Sequence, residues 1–437
     1  MQRGEDCRAA RRGRCHLVTG PYAGLRVVEL GEGVALAYCG QQLADRGAEV
    51  FKLEPPGGDG LRHVRAHGAG ASKLFQWLGR GKRSVEVDVG TIAGAEILHT
   101  LLAGADVLIA NLPLARRGAL GLGDSEISAG YPKLVAVFES AFGVAGRMAG
   151  RPGNELVVQA MSGMLAAEGK RLADGAPEAI QSCSITQIPA GVVLTMGVSA
   201  GLYHRERSGE GQVVHSNDLG VALMLQGGRV GLNAPDVETR AATMERVTKQ
   251  RATGAGHPAM ADAFVPPKHP VASAGTAYYR AFVTQNGAVF LGALSRPLRD
   301  KVRAALGIEF RLRDEPDFDP EDPEFQAKAR AFEAGVIADM RTRTTEEWLD
   351  VLEAHGVPCG EVTFPEDLSG NEQALANDYL IDVQHREDGP QLQVAPPVRF
   401  GRVTEHRRDP APALGADTEA VLDELGVALA QEPNGTP

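Results

Sequence analysis

The sequence predicts a doubly wound α/β sheet followed by a smaller α+β domain, on three observations. Between Leu25 and Ser140, short apolar runs rich in Val and Leu alternate with helical segments, the pattern of parallel strands covered on both faces. Further on, two β-rich runs flank Asn286-Gly287, the dipeptide that best tolerates the positive φ angles of a tight hairpin turn. At 437 residues and 46.2 kDa, the chain is also long enough to bury more than one core.

The elements follow in order. "LRVVEL" reads as a strand, Val34 to Arg46 as a helix, and "AEVFKLE" and "RSVEVDV" as strands. Ile92 to Ala103 reads as a helix, with "ADVLIAN" and "KLVAVFES" as the next strands. Two apolar segments, Glu155 to Glu168 and Gly191 to Tyr203, are long enough to favour helices, and Gly209 and Gly211 end the second. Residues 236–275 are rich in Gly and Pro and read as a linker or cleft loop between a large part, 21–235, and a small domain, 276–360. The hairpin opens that domain, helices follow at 297–306, 322–340 and 345–355, and extended pieces lie near 359–363, 379–384 and 393–400. A last helix spans about 416–426, and no internal repeat is evident.

Composition narrows the function. A formal charge of −11, with no long basic stripe beyond the opening residues, leaves nucleic acid little to bind and favours a small-molecule substrate. Five scattered cysteines, Cys7, Cys15, Cys39, Cys183 and Cys359, form no CxxC pair, so neither a disulfide framework nor a zinc site is indicated and a reducing cytoplasm fits. His215, His257 and His269 have no ligand spacing, so no metal is assigned. Residues 1–20 are Arg-rich without an apolar core and read as a disordered extension, and no apolar run reaches the roughly 18 residues of a membrane span.

An ordered series of landmarks gives the chain a family resemblance: "LADRGAEVFKLEPPGGDGLR", "GKRSVEVDV", "ADVLIANLPLARRGALGLG", "RPGNELVVQAMSG", "AGLYHRERSGEGQVV", "HGVPCGEV", "PPVRF" and "PAPALGADTEAVLDELG". In that order it resembles the family III CoA-transferases, which include the α-methylacyl-CoA racemases, over roughly residues 21 to 427. The resemblance implies a large domain built from both chain ends, with 361–437 returning to it, and an interlocked dimer. It also implies coenzyme A as a substrate moiety, with a homodimer, or a heterodimer with an active paralogue, as the assembly.

In these transferases an aspartate four residues before a helix-opening glycine attacks the thioester, because a neutral group of that size is a poor nucleophile. Counting back from Gly191 lands on Gln187, whose other reading is a polar residue near a helix start. The resemblance places the racemase histidine at Asn154 and a racemase glutamate at Ser295, so three ionisable groups become groups that do not titrate at accessible pH. Glu155 is then the surviving candidate base, or else a first-turn acid favoured by the helix dipole. Cys183, beside Ser182, Ser184 and Thr186, is an alternative nucleophile if its pKa is lowered, or a structural cysteine.

For coenzyme A, the resemblance implies binding by Asp59, Arg62, Lys82, Arg83 and Asn111, since Lys and Arg suit diphosphate recognition. Ala119 stands where an arginine is expected, and Arg116 and Arg117 either substitute or form a solvated helix face. Leu36 and Ala37 narrow a turn the family keeps open, and Glu32 would repel phosphate if it faced the nucleotide. The expected function is a divergent acyl-CoA enzyme without an aspartyl intermediate. The alternatives are a non-catalytic subunit and an ordinary CoA-transferase with a displaced nucleophile.

Overall fold

The structure is a computed structural model that describes residues 20–64, 71–231, 233–265, 270–386, 389–402 and 409–427. The extension expected over 1–20, with Cys7 and Cys15, lies outside the described residues except for Gly20, as does His269. One compact unit uses the chain up to Arg240 and again from Gln373 onward; the other is Ala241–Glu372.

The first unit is a six-stranded parallel sheet. Its elements run β1 (Arg26–Leu30), α1 (Val34–Ala44), β2 (Glu49–Glu54), α2 (Lys73–Gly79), β3 (Arg83–Glu86), α3 (Ile92–Ala103), β4 (Val107–Ala110), α4 (Leu114–Ala119), α5 (Asp124–Gly130) and β5 (Val135–Ser140). After β5 come α6 (Glu155–Met161), α7 (Met164–Glu168), α8 (Gln187–Ser208), β6 (Gln212–Asn217) and α9 (Asp218–Leu225). Strand order is β3-β2-β1-β4-β5-β6, with all neighbours parallel. The order reverses between β1 and β4, and in such sheets ligands bind in the crevice beyond the strand C-termini there.

Alternation along the strands assigns residues to two cores. Val28, Leu30, Phe51, Leu53 and Leu108 pack with Leu98 and Leu101 of α3 on one face, while Val27, Val50, Val107 and Ile109 pack with Leu36, Leu43, Leu194 and Val198 of α1 and α8 on the other. This is the doubly wound arrangement the sequence predicts. The α1–α8 contact depends on Gly191, where a Cβ would lie 2.7 Å from the Ala35 carbonyl oxygen and 3.0 Å from Tyr38 Cβ. Leu36 and Ala37 belong to this buried packing and do not narrow an open turn.

The chain's C-terminal part is tied into the same unit by buried polar contacts. Arg80 is fully buried, forks onto Asp45 at 2.9 and 2.8 Å, and donates to the Val394 carbonyl at 2.7 Å. The Asp417 carboxylate accepts the Ser84 backbone N–H at 3.0 Å.

The remaining elements are α10 (Gly227–Val230), α11 (Ala234–Ala252), α12 (His257–Phe264), α13 (Pro270–Gly275), β7 (Tyr279–Val283), β8 (Ala288–Gly292), α14 (Arg296–Leu306), α15 (Pro323–Met340), α16 (Thr345–Ala354), β9 (Cys359–Glu361), α17 (Glu372–Ala376), β10 (Leu380–His385), β11 (Gly389–Val394) and α18 (Thr418–Leu425). The Asn286-Gly287 hairpin joins β7 and β8, and β9 completes a three-stranded antiparallel sheet around a core of its own. The 236–275 stretch is not a linker: α11, α12 and α13 run through it, and Pro258 and Pro270 sit in the first turns of α12 and α13, where a missing N–H costs nothing. The helix expected over Glu155 to Glu168 is two helices, broken at Gly163, whose φ of 85° ends the first. Strand β6 was not expected, because its "QVVHSN" is half polar.

Candidate functional site

The sheet's C-terminal edge opens into a cleft of about 690 Å³ within the first unit. Gln187 and Asn154 both line it. Asn154 caps α6, its side chain accepting the Val157 N–H at 3.1 Å. Gln187 opens α8, held at the rim by the close α1–α8 packing.

Glu155 is near the cleft but faces away from the role of a free base. Its Oε1 accepts the Thr186 backbone N–H at 2.8 Å and the Gln159 amide at 3.2 Å, and its Oε2 accepts the Ser184 hydroxyl. It fastens the loop that delivers Gln187. Cys183 is exposed and Ser295 is the N-cap residue of α14 in the second unit.

Four of the five side chains expected to bind coenzyme A are engaged in protein ion pairs. Lys82 is buried, with Nζ 2.7 Å from Glu29 and 2.8 Å from the Ala37 carbonyl. Lys52 bridges the same Glu29 at 2.9 Å to Asp59 at 2.5 Å. Arg62 forks onto Glu54 at 2.7 Å by both bonds and lies over the Phe75 ring. Arg83 pairs with Glu49 at 2.9 Å and Glu424 at 3.1 Å. Burial holds the Lys82 ammonium below the usual lysine range despite the pull of Glu29. Of this group only Asp59 and Asn111 reach the cleft. Asn111 accepts the Glu32 N–H at 3.1 Å and donates to the Glu32 carbonyl, pinning the loop between β1 and α1.

Arg117 is not on a solvated face. It is buried over the Phe138 ring, donates to the Leu122 carbonyl at 2.7 Å and pairs with Asp124, which also meets His215 at 3.0 Å. Arg117, His215 and the exposed Arg151 supply the basic side of the cleft, while Arg116 lines a second cleft of about 290 Å³ at the ends of β1 and β2.

Sequence reasoning missed the two acids at the cleft floor. Strands β5 and β6 pair with Glu139 opposite Ser216, so Glu139 and Asp218 emerge side by side at the strand ends. They are 8% and 1% exposed. Burial first, and then the Glu139 charge, pushes the Asp218 carboxyl up to about 8, although the Gln187 amide hydrogen-bonds its ionised form. Burial likewise raises Glu139, against hydrogen bonds from Asp218 and Asn111. Close carboxyls in a dry site cannot both ionise, so the pair keeps at least one proton at neutral pH. The signal available was an acid ending an otherwise apolar parallel strand, where ligand crevices lie.

Among the described residues, no helix is long and apolar enough to cross a membrane, and no group of three His, Cys, Asp or Glu side chains is placed to hold a metal.

A family model described as "CoA-transferase family III" matches residues 22–418. Acetyl-CoA:oxalate CoA-transferase of Acetobacter aceti is 27% identical over 94% of this chain and 96% of its own length. Succinyl-CoA–D-citramalate CoA-transferase of Chloroflexus aurantiacus is 28% identical over 93% of this chain and 94% of its own. Among solved structures, a mutant of Rv3272 of Mycobacterium tuberculosis with alanine in place of one aspartate superposes with a TM-score of 0.72 at 24% identity, covering 92% of this chain and 99% of that one, a likeness of fold.

Proposed function

Because this chain belongs to CoA-transferase family III, we propose that its large cleft binds an acyl-CoA and acts on the thioester without an aspartyl intermediate at position 187. The observation that carries this reading is Gln187 itself: it opens α8 and lines the cleft, where the family resemblance puts the attacking carboxylate. A carboxamide cannot form the anhydride that transfer through that position needs. Asn154 and Ser295 leave the racemase positions without titratable groups in the same way.

Arg151 and His215 are the basic groups nearest solvent in the cleft and suit the acidic parts of an acyl-CoA. The chain works in the cytoplasm as a dimer, with a second copy or with a paralogue that keeps the aspartate. Supporting a dimer, α8 leaves Val192, Met196 and Tyr203 exposed along its length.

Titration calorimetry with acetyl-CoA and succinyl-CoA tests the reading, together with intact-mass measurement after incubation. Saturable binding without a covalent adduct at residue 187 is expected. No binding of any CoA species would overturn it.

A further inference from the structure

We propose that Glu139 and Asp218 form a shared-proton general acid–base pair that activates water against the thioester of a bound acyl-CoA. The proposal deepens the reading above and rests on the cleft binding a CoA thioester.

The geometry comes first. The two carboxyls meet where parallel strands β5 and β6 end, both line the cleft, and Gln187 lies against Asp218. Asp218 is 1% exposed, yet its Oδ1 has no hydrogen-bond partner among the described residues. An unpartnered buried carboxylate oxygen is costly unless something else satisfies it. Asp218 is itself one of the residues that line the cleft, so a partner for that oxygen can come from the cleft side. With so little exposed surface, Asp218 has scant room for covalent attack on a thioester carbon, which leaves proton transfer as the role its place in the cleft wall allows.

The step balances without an outside oxidant or reductant. A water oxygen attacks the thioester carbonyl carbon and its proton passes to the ionised carboxylate of the pair. The carbonyl electron pair moves onto oxygen, where the Gln187 amide, which also lines the cleft and carries two N–H groups, can donate. The carbonyl then re-forms, the C–S bond breaks, and the pair returns a proton to the leaving thiolate. The products are a carboxylic acid and free coenzyme A thiol, and the pair again holds one proton. A base that titrates near the working pH is the most effective kind for such a step.

The other charged groups of the cleft are spoken for or stand apart. Asp59 is paired with Lys52, and Arg117 and His215 are tied to Asp124. Glu155 adds a like charge that favours the protonated pair, Glu32 lines the cleft from the loop between β1 and α1, and Arg151 is exposed.

The experiment measures thiol release from acetyl-CoA and succinyl-CoA with a chromogenic thiol reagent, across pH, for the wild type, Asp218→Asn and Glu139→Gln. Calorimetric binding is measured in parallel, and infrared spectra in D2O look for the carbonyl band of a protonated carboxyl near neutral pH in the wild type. The proposal expects that band, thiol release by the wild type, and losses of about 100-fold or more in each variant, with affinity kept within about threefold. Binding without thiol release, variants that release thiol at the wild-type rate, or no protonated carboxyl in the wild type would each overturn the pair. Absence of binding would overturn the cleft reading itself and this step with it. The infrared measurement needs no variant, so a substitution that fails to fold leaves the proposal open to refutation.

Discussion

The Glu155 carboxylate accepts the backbone N–H of Thr186 at 2.8 Å, joining the first turn of α6 to the residue immediately before Gln187. With the Ser184 hydroxyl and the Gln159 amide on the same carboxylate, its lone pairs serve to hold a loop. Glu155→Ala should therefore cost about 2–3 kcal/mol in urea denaturation, the scale of a lost charged hydrogen bond. Glu155→Gln should lower activity and, by removing a like charge near Asp218, move its pH profile toward lower pH while keeping the profile's shape. A pH profile that loses a limb in Glu155→Gln would restore Glu155 as a base.

Much of the fold was legible because local signals agree: apolar runs ending at polar turns marked β1 to β5, and Asn286-Gly287 marked the β7–β8 hairpin. Gln187 and Asn154 were legible through spacing and landmark order, and the cleft holds both. What composition cannot reveal is which charges are spent inside the protein. Lys82 and Arg62 look like anion binders until Glu29 and Glu54 appear beneath them. Glu139 and Asp218 were hidden for the same reason: they are 79 positions apart, and only the β5–β6 pairing makes them neighbours.

Lys82→Met separates the structural reading of that lysine from a nucleotide-binding one. It leaves Glu29 buried with Lys52 as its one remaining cation partner among the described residues, so stability should fall by about 3–5 kcal/mol in chemical denaturation. The fraction that folds should bind acetyl-CoA with unchanged affinity. A variant of normal stability that no longer binds would return Lys82 to the coenzyme.

Gly191→Ala tests how Gln187 is positioned. The added methyl group meets the Ala35 carbonyl and Tyr38, and α8 must move away from α1. Overpacking of this kind costs about 1–3 kcal/mol. The melting temperature should fall and, because Gln187 moves with the helix, affinity for acetyl-CoA should fall too. Wild-type values for both would show that the contact does not position the site.

Placing an aspartate at 187 should not by itself restore transfer chemistry. Gln187→Asp adds a carboxyl beside Asp218 and Glu139, and mutual repulsion keeps the new group protonated and weakly nucleophilic. The double change with Asp218→Asn removes the nearest competitor. Intact-mass measurement after incubation with acyl-CoAs should show a coenzyme A adduct on the double variant and far less on the single one at neutral pH. Equal adducts on both would mean that Asp218 does not suppress ionisation at 187.

The buried pair also makes stability depend on pH in a definite direction. The folded Asp218 carboxyl titrates at about 8, well above the ordinary carboxylate value that holds in the unfolded chain. Between those two values the folded state keeps a proton that the unfolded state has released. Stability is therefore fully present below the unfolded pKa and is lost as pH rises toward 8, with a slope of up to about 1.4 kcal/mol per pH unit. Asp218→Asn removes this loss, because the amide carries no proton that the folded state retains and the unfolded state releases. The variant's advantage over the wild type in urea denaturation should thus grow from pH 5 to pH 8. A difference that stays constant across that range, or shrinks, would mean that Asp218 is ionised in the folded protein at neutral pH.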